Sequence, residues 1–168
     1  MIKTLAPARP NVRFVLATGT GNYESAKQLY DEYELQSYPN VVMQPYIYDM
    51  PIHLSAADVV ISRAGAMSLS EVARMGKACV IIPSPYVPDQ HQLRNASVMA
   101  DHRAALMVEE KDFSGGALPL AVNALLDDAD LRQSLESNIR AFAGEDANRL
   151  IYEHILAAVA QSKSKKTK

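Results

Sequence analysis

VVISRAGAMSLSEVARMGKACVIIP, residues 59–83, carries the pattern that decides the fold. It opens on an apolar run from Val59 to Ser62 and turns through small residues around Gly65. A helical pattern follows from Ala66 to Met75. The chain then returns through a second apolar run, Cys79 to Ile82, which Pro83 closes. Both runs are continuous rather than alternating, as expected of strands covered on both faces. Two such strands joined by a helix form a right-handed βαβ unit, and that unit belongs to a parallel sheet.

The same alternation extends in both directions. Upstream lie the runs Val12 to Thr18, closed by Gly19, and Val41 to Gln44, closed by Pro45; downstream lies a weaker run, Ala105 to Val108. Helical patterns cover Tyr23 to Tyr33, Pro51 to Ala57 and Gln90 to Asp101. Only helices follow the fifth run: Leu118 to Leu126, Asp130 to Phe142 and Ala147 to Ala160. The expected fold is α/β, a doubly wound parallel sheet of about five strands with packed C-terminal helices. The expected domain covers residues 1–160, and the lysine-rich residues 161–168 read as a disordered basic tail. The opening MIKTLAP reads as the end of a helix cut off at Pro7, and its natural repair is a strand and loop upstream.

Composition narrows the function classes. The chain has 168 residues, 48% of them hydrophobic, and a formal net charge of -2. It can bury one ordinary core, and its charge gives no reason to expect nucleic acid as a partner. Cys79 is the only cysteine, so no internal disulfide forms and a reducing compartment fits. His53, His91, His102, His154 and Cys79 show no zinc-ligand spacing, and no metal or other cofactor is expected. No apolar run approaches the roughly 18 residues of a membrane span. The expectation is a cytoplasmic protein, at most peripheral at the inner face of the plasma membrane.

In a parallel α/β sheet, ligands bind beyond the carboxyl ends of the strands. After the first run comes Thr18-Gly19-Thr20-Gly21-Asn22. Glu24 stands where the dinucleotide pattern needs a third glycine, which favours a tight turn over a phosphate loop. After the third run, Gly65, Ala66, Met67 and Ser68 let the backbone approach a ligand, and the N–H groups of the next helix would face it. Arg63 adds positive charge, and together these suit a diphosphate. Glu71 could accept hydrogen bonds from sugar hydroxyls. The competing reading is a capping box of Ser68 and Glu71, which a helix starting at Ala66 disfavours. After the fourth run, three prolines stiffen a loop that ends in Asp89-Gln90-His91-Gln92. Asp89 and Gln92 fit a capping box, while His91 and Asn95 remain for reading sugar hydroxyls.

Taken together, GAMSLSEVARMGKACVIIP and DQHQLRNA resemble the donor-binding domain of the MurG family of peptidoglycan transferases, with the likeness extending from Pro10 to about Ala160. Those enzymes move N-acetylglucosamine from UDP-N-acetylglucosamine to a lipid-linked muramyl-pentapeptide, using two Rossmann-like domains in the GT-B arrangement. The resemblance implies that Glu71 holds the ribose hydroxyls. It implies that Gly65, Ala66, Met67 and Ser68 form the bed under the diphosphate, and that main-chain groups at Ile47 read the uracil. Gln92 and His91 would read the N-acetylglucosamine, with Asp89 and Asn95 in support.

This sequence departs from the family pattern in one major respect. The family's first strand, its glycine- and serine-rich phosphate loop and its whole acceptor domain have no counterpart here. No catalytic residue is therefore expected in this chain, and the chain alone is expected to be inactive. A donor domain of a larger transferase, one subunit of a two-chain enzyme and a non-catalytic UDP-sugar-binding domain all remain open. The expected partners are UDP-N-acetylglucosamine, an acceptor domain or subunit, and through it a lipid-linked acceptor. A homodimer through the exposed apolar face is a further expectation.

Overall fold

The computed structural model describes residues 1–144 and 151–157. Over residues 1–144 the α-helices and strands run in the order α1 (Ile2–Ala8), β1 (Phe14–Ala17), α2 (Tyr23–Glu32), β2 (Val41–Gln44), α3 (Met50–Ala56), β3 (Val59–Arg63), α4 (Ala66–Met75), β4 (Ala78–Ile82), α5 (His91–Asp101), β5 (Leu106–Met107), α6 (Ala117–Asp127) and α7 (Ala129–Ile139). Residues 151–157 are helical and exposed along their length. They are the described part of the expected last helix; the rest of that helix and the basic tail 161–168 lie outside the described residues. Among those residues no helix is long and apolar enough to cross a membrane.

All the strand pairs are parallel, but the ladder is not continuous. β1 pairs with β2, and β3, β4 and β5 form a separate three-stranded sheet in that order. The single expected sheet is thus divided at β1 and β3, which share no ladder. Periodicity in one strand cannot reveal this, because pairing is decided by segments far apart in sequence.

The three-stranded sheet shows why its strands read as unbroken apolar runs. On one face Val59, Ala78, Val80 and Leu106 meet Leu5 of α1, Val122 and Leu125 of α6 and Leu135 of α7. On the other, Val60, Cys79, Ile81 and Met107 meet Leu69, Val72 and Ala73 of α4 and Ala96 and Met99 of α5. Alternate residues face opposite layers, and both layers are apolar. Val80 and Ile81 are fully buried, each contributing about 1.5–3 kcal/mol.

α4 ends where the next strand needs it to. Gly76 sits at φ 60, and the paired bonds Gly76 N–H to Ala73 O and Lys77 N–H to Val72 O close a Schellman turn. A side chain at Gly76 would also strike the Arg140 guanidinium. α1 runs through Pro7 by one residue, and Asn40 holds its end: the Asn40 amide lies within 3.1 Å of the carbonyls of Ala6, Arg9 and Val12.

Candidate functional site at the strand ends

α4 begins at Ala66 behind Gly65, and no side chain caps it. The first backbone bond runs from Leu69 N–H to Gly65 O at 3.0 Å, leaving the N–H groups of Ala66, Met67 and Ser68 without partners among the described residues. Such a terminus carries about half a positive charge and suits an anion. Ser68 lies three residues inside the helix, so the capping-box reading of Ser68 and Glu71 does not hold. Glu71 is exposed and has no hydrogen-bond or ion-pair partner among the described residues. With Ala66, Met67, Ser70 and Arg74 it lines a depression of about 390 Å³. Arg74, one turn beyond Glu71, is a cation the sequence reading did not single out, although its i+3 spacing puts it on the same face.

Arg63 closes β3. Its Nη1 donates to Glu110 Oε1 at 2.5 Å and reaches Ile82 O at 3.5 Å. Nε and Nη2 have no protein partner among the described residues. The guanidinium is thus half-answered by a carboxylate 47 positions away in sequence, a pairing no local pattern announces.

The loop after β4 differs from its expected form. A short 3-10 turn over Pro88–Gln90 precedes α5, which starts at His91. Asp89 (φ 54) and Gln90 (φ 51) are both left-handed, at a cost of about 1–2 kcal/mol each. Neither side chain caps the helix, so the capping box of Asp89 and Gln92 is also overturned. Gln92 instead accepts the Ser84 N–H through Oε1 at 3.0 Å, pinning the proline loop to α5. His91 is exposed, with Nδ1 2.8 Å from Pro88 O. Asn95 donates to Ala64 O at 3.1 Å, so α5 also holds the turn that precedes α4. The loops after β3 and β4 are therefore fixed to each other.

The loop after β2 places Ile47 with its side chain buried, and its backbone N–H and C=O have no partner among the described residues. On either side Tyr46 and Tyr48 are exposed and meet edge to face, with ring centroids 5.0 Å apart. Tyr86, in the proline loop, is 86% exposed. These tyrosines were missed by sequence reasoning; their only signal was an aromatic residue in a loop following a strand. After β1, Gly19 at φ 75 leads into a 3-10 turn and α2, the tight-turn form. Beneath these loops Cys79 is buried, and desolvation pushes its thiol up to about 12, leaving it in the inert protonated form. Among the described residues, no group of three or more His, Cys, Asp or Glu side chains could hold a metal ion.

Among the described residues, the arrangement offers backbone donors without partners, a partly free guanidinium, an unpaired carboxylate and unpaired main-chain groups beside aromatic rings. Comparison with known proteins gives it a family. The model of the glycosyltransferase family 28 C-terminal domain matches residues 1–152. The UDP-N-acetylglucosamine--N-acetylmuramyl-(pentapeptide) pyrophosphoryl-undecaprenol N-acetylglucosamine transferase of Leuconostoc mesenteroides is 35% identical over 90% of this chain and 41% of its own length. The enzyme of the same name from Carboxydothermus hydrogenoformans is 35% identical over 95% of this chain and 42% of its own. The chain thus spans about two-fifths of the length of these curated relatives. The crystal structure of Acinetobacter baumannii MurG superposes with a TM-score of 0.72 at 28% identity, covering 93% of this chain and 46% of that one. A family model matching nearly the whole chain, together with relatives and a fold that agree with it, establishes that the chain belongs to the glycosyltransferase family 28 C-terminal domains, of the MurG type.

Proposed function

We propose that this domain binds UDP-N-acetylglucosamine and serves as the donor half of an inverting N-acetylglucosaminyltransferase. The observation that carries this reading is the state of Glu71. Among the described residues, an exposed carboxylate with no protein partner stands one helical turn beyond three N–H groups without partners, on the helix that follows β3. A nucleoside diphosphate needs that pair of features, donors for the phosphates and an acceptor for the ribose hydroxyls. Ile47 would read uracil through its unpaired main chain, and Gly65, Ala66, Met67 and Ser68 would bed the diphosphate. Gln92 and His91 would meet the sugar. The tie from Gln92 to Ser84 leaves its amide nitrogen for that purpose.

In the transfer, an acceptor hydroxyl attacks the anomeric carbon and its proton passes to a base outside this chain. The bond to the UDP oxygen breaks, and the electron pair leaves with the diphosphate. This chain would contribute position and stabilisation of that leaving charge through the α4 N–H groups and Arg63. A lipid-linked acceptor would be brought by an acceptor domain or subunit.

Isothermal titration with UDP-N-acetylglucosamine tests the reading. Saturable binding that UDP competes away is the expected result, together with no transfer to a lipid-linked muramyl acceptor by the isolated chain. Absence of binding to both UDP-N-acetylglucosamine and UDP at millimolar concentration would overturn it.

A further inference from the structure

We propose, on the donor-site reading above, that Tyr86 is a sugar-stacking residue: its ring covers one face of the donor's pyranose while Gln92 and His91 meet the hydroxyl edge. Tyr86 then makes the site favour a nucleotide that carries a sugar over the bare nucleotide.

The loop that carries Tyr86 is stiff. Pro83, Pro85 and Pro88 each fix φ along it. Ser84 ties it in two directions: its N–H donates to Gln92 Oε1 at 3.0 Å, and its Oγ accepts the Tyr86 N–H at 3.4 Å. Asp89 (φ 54) and Gln90 (φ 51) hold left-handed backbone where the loop enters α5, a state that persists only where the surroundings impose it. Yet the ring that this loop holds is 86% exposed, and its hydroxyl has no hydrogen bond among the described residues. Other tyrosines find partners within the fold. The Tyr30 hydroxyl donates to Val41 O, Tyr33 lies beneath the Lys3 ammonium, and Tyr46 meets Tyr48.

A rigid backbone presenting an unused aromatic plane suits binding. The ordering cost of the loop is met before a ligand arrives, and a tyrosine with two side-chain torsions gives a large contact area for little further loss. A pyranose has an edge of hydroxyls and faces of C–H groups. Polar groups answer the edge, and an aromatic plane answers a face. Both stand together here. The bonds through Ser84 set the Tyr86 backbone beside the Gln92 side chain, whose amide nitrogen is left for the hydroxyls. Asn95 holds the same helix to Ala64 O, just before the α4 N–H groups, so ring, amide and diphosphate bed share one rim. The nucleobase loop around Ile47 follows β2, which belongs to the other sheet, so the sugar is the part of the donor that Tyr86 fits.

The test is isothermal titration of the full chain and its Tyr86→Ala and Tyr86→Phe variants with UDP-N-acetylglucosamine and with UDP. Tyr86→Ala should weaken binding of the sugar nucleotide by about tenfold and leave UDP binding and the melting temperature unchanged. Tyr86→Phe should keep both affinities, because the plane and not the hydroxyl makes the contact. The chain has no tryptophan, so Tyr86→Trp places a single reporter at the loop tip, whose emission should change with UDP-N-acetylglucosamine and not with UDP. Equal losses for the two ligands in Tyr86→Ala, no loss for either, a loss in Tyr86→Phe as large as in Tyr86→Ala, or a reporter that answers UDP alone would each overturn the proposal. In all of those cases wild type still binds both ligands and the donor reading stands. A wild type that binds neither removes the donor reading, and the stacking role with it.

Discussion

The two sheets of this domain obey the same local rules and reach different degrees of burial. In the three-stranded half, Ala78, Cys79, Val80 and Ile81 of β4 are each 0% exposed. In the two-stranded half, β1 has no buried residue and β2 has only Val41. The strands do not differ greatly in hydrophobicity; VVMQ and FVLA are as apolar as VVISR. The difference lies in neighbours. A strand is sealed only when ladders flank it on both sides and helices cover both faces, which β4 achieves and β1 does not. The candidate site is built across this inequality. The proposed diphosphate bed lies on the sealed half and the proposed nucleobase loop on the open one.

The largest expected effect breaks or confirms the inequality directly. Ile81→Ala removes a fully buried side chain between α4 and α5 and should lower stability by about 2–5 kcal/mol. Val15→Ala, at a partly exposed position, should stay within about 0.5 kcal/mol. Urea denaturation followed by circular dichroism measures both. Similar losses for the two would mean that β1 is covered in solution and that the comparison fails.

The next effect separates site from scaffold within the sealed half. Glu71→Ala should weaken UDP binding by about 1.5–3 kcal/mol, roughly one to two decades, since hydrogen bonds to a charged group are lost. Stability should barely move, because the Glu71 side chain bonds nothing among the described residues. Wild type should also distinguish UDP from its 2′-deoxy form, and the variant should not. Unchanged affinity with a lowered melting temperature would return Glu71 to a structural role.

A smaller effect concerns Arg63. If its guanidinium faces the diphosphate, Glu110 competes with the ligand for its charge. Glu110→Gln should then strengthen UDP binding by less than about tenfold, as exposed ion pairs are worth about 0–1 kcal/mol. Weakened binding would show instead that Glu110 holds Arg63 in its working position.

How much of this was legible in the sequence follows the same division between local and distant causes. β2 and α4 occupy the residues expected of them, because Pro45 and the Gly65–Gly76 pair mark their ends chemically. The start of α4 could be read because small residues around Gly65 leave only one place for a helix to begin. The start of α5 could not. Asp89 and Gln92 have capping-box spacing, yet the three-proline loop folds back and Gln92 is recruited by Ser84, a contact fixed by tertiary geometry. The Arg63–Glu110 pair and the break between β1 and β3 are illegible for the same reason: each joins segments whose separation no local period encodes.

The smallest expected effect lies at a fastener between the halves. Arg9, just after α1 on the way to β1, pairs with Asp127 at the end of α6, and its Nη2 also donates to Asn123 at 2.8 Å. α6 packs on the three-stranded sheet, so this contact ties the chain entering the open half to the sealed one. The Arg9 hydrogen bond holds the Asp127 carboxyl below its ordinary value. A carboxyl depressed in the folded state contributes stability above the pH where the unfolded group titrates, about 3.9, and loses it as pH falls through the folded value. Both side chains are partly solvated, so the contribution is small. Asp127→Asn should therefore lower the melting temperature slightly at neutral pH, with a constant difference from wild type down to about pH 5. The difference should vanish below the folded carboxyl's range, where wild type has itself lost the charge. Exchange at the β1 amides should quicken in the variant while β4 stays unchanged. Equal quickening in both strands would make the pair a general stabiliser. A melting difference that persists in acid would assign the effect to packing and remove the charge from the account.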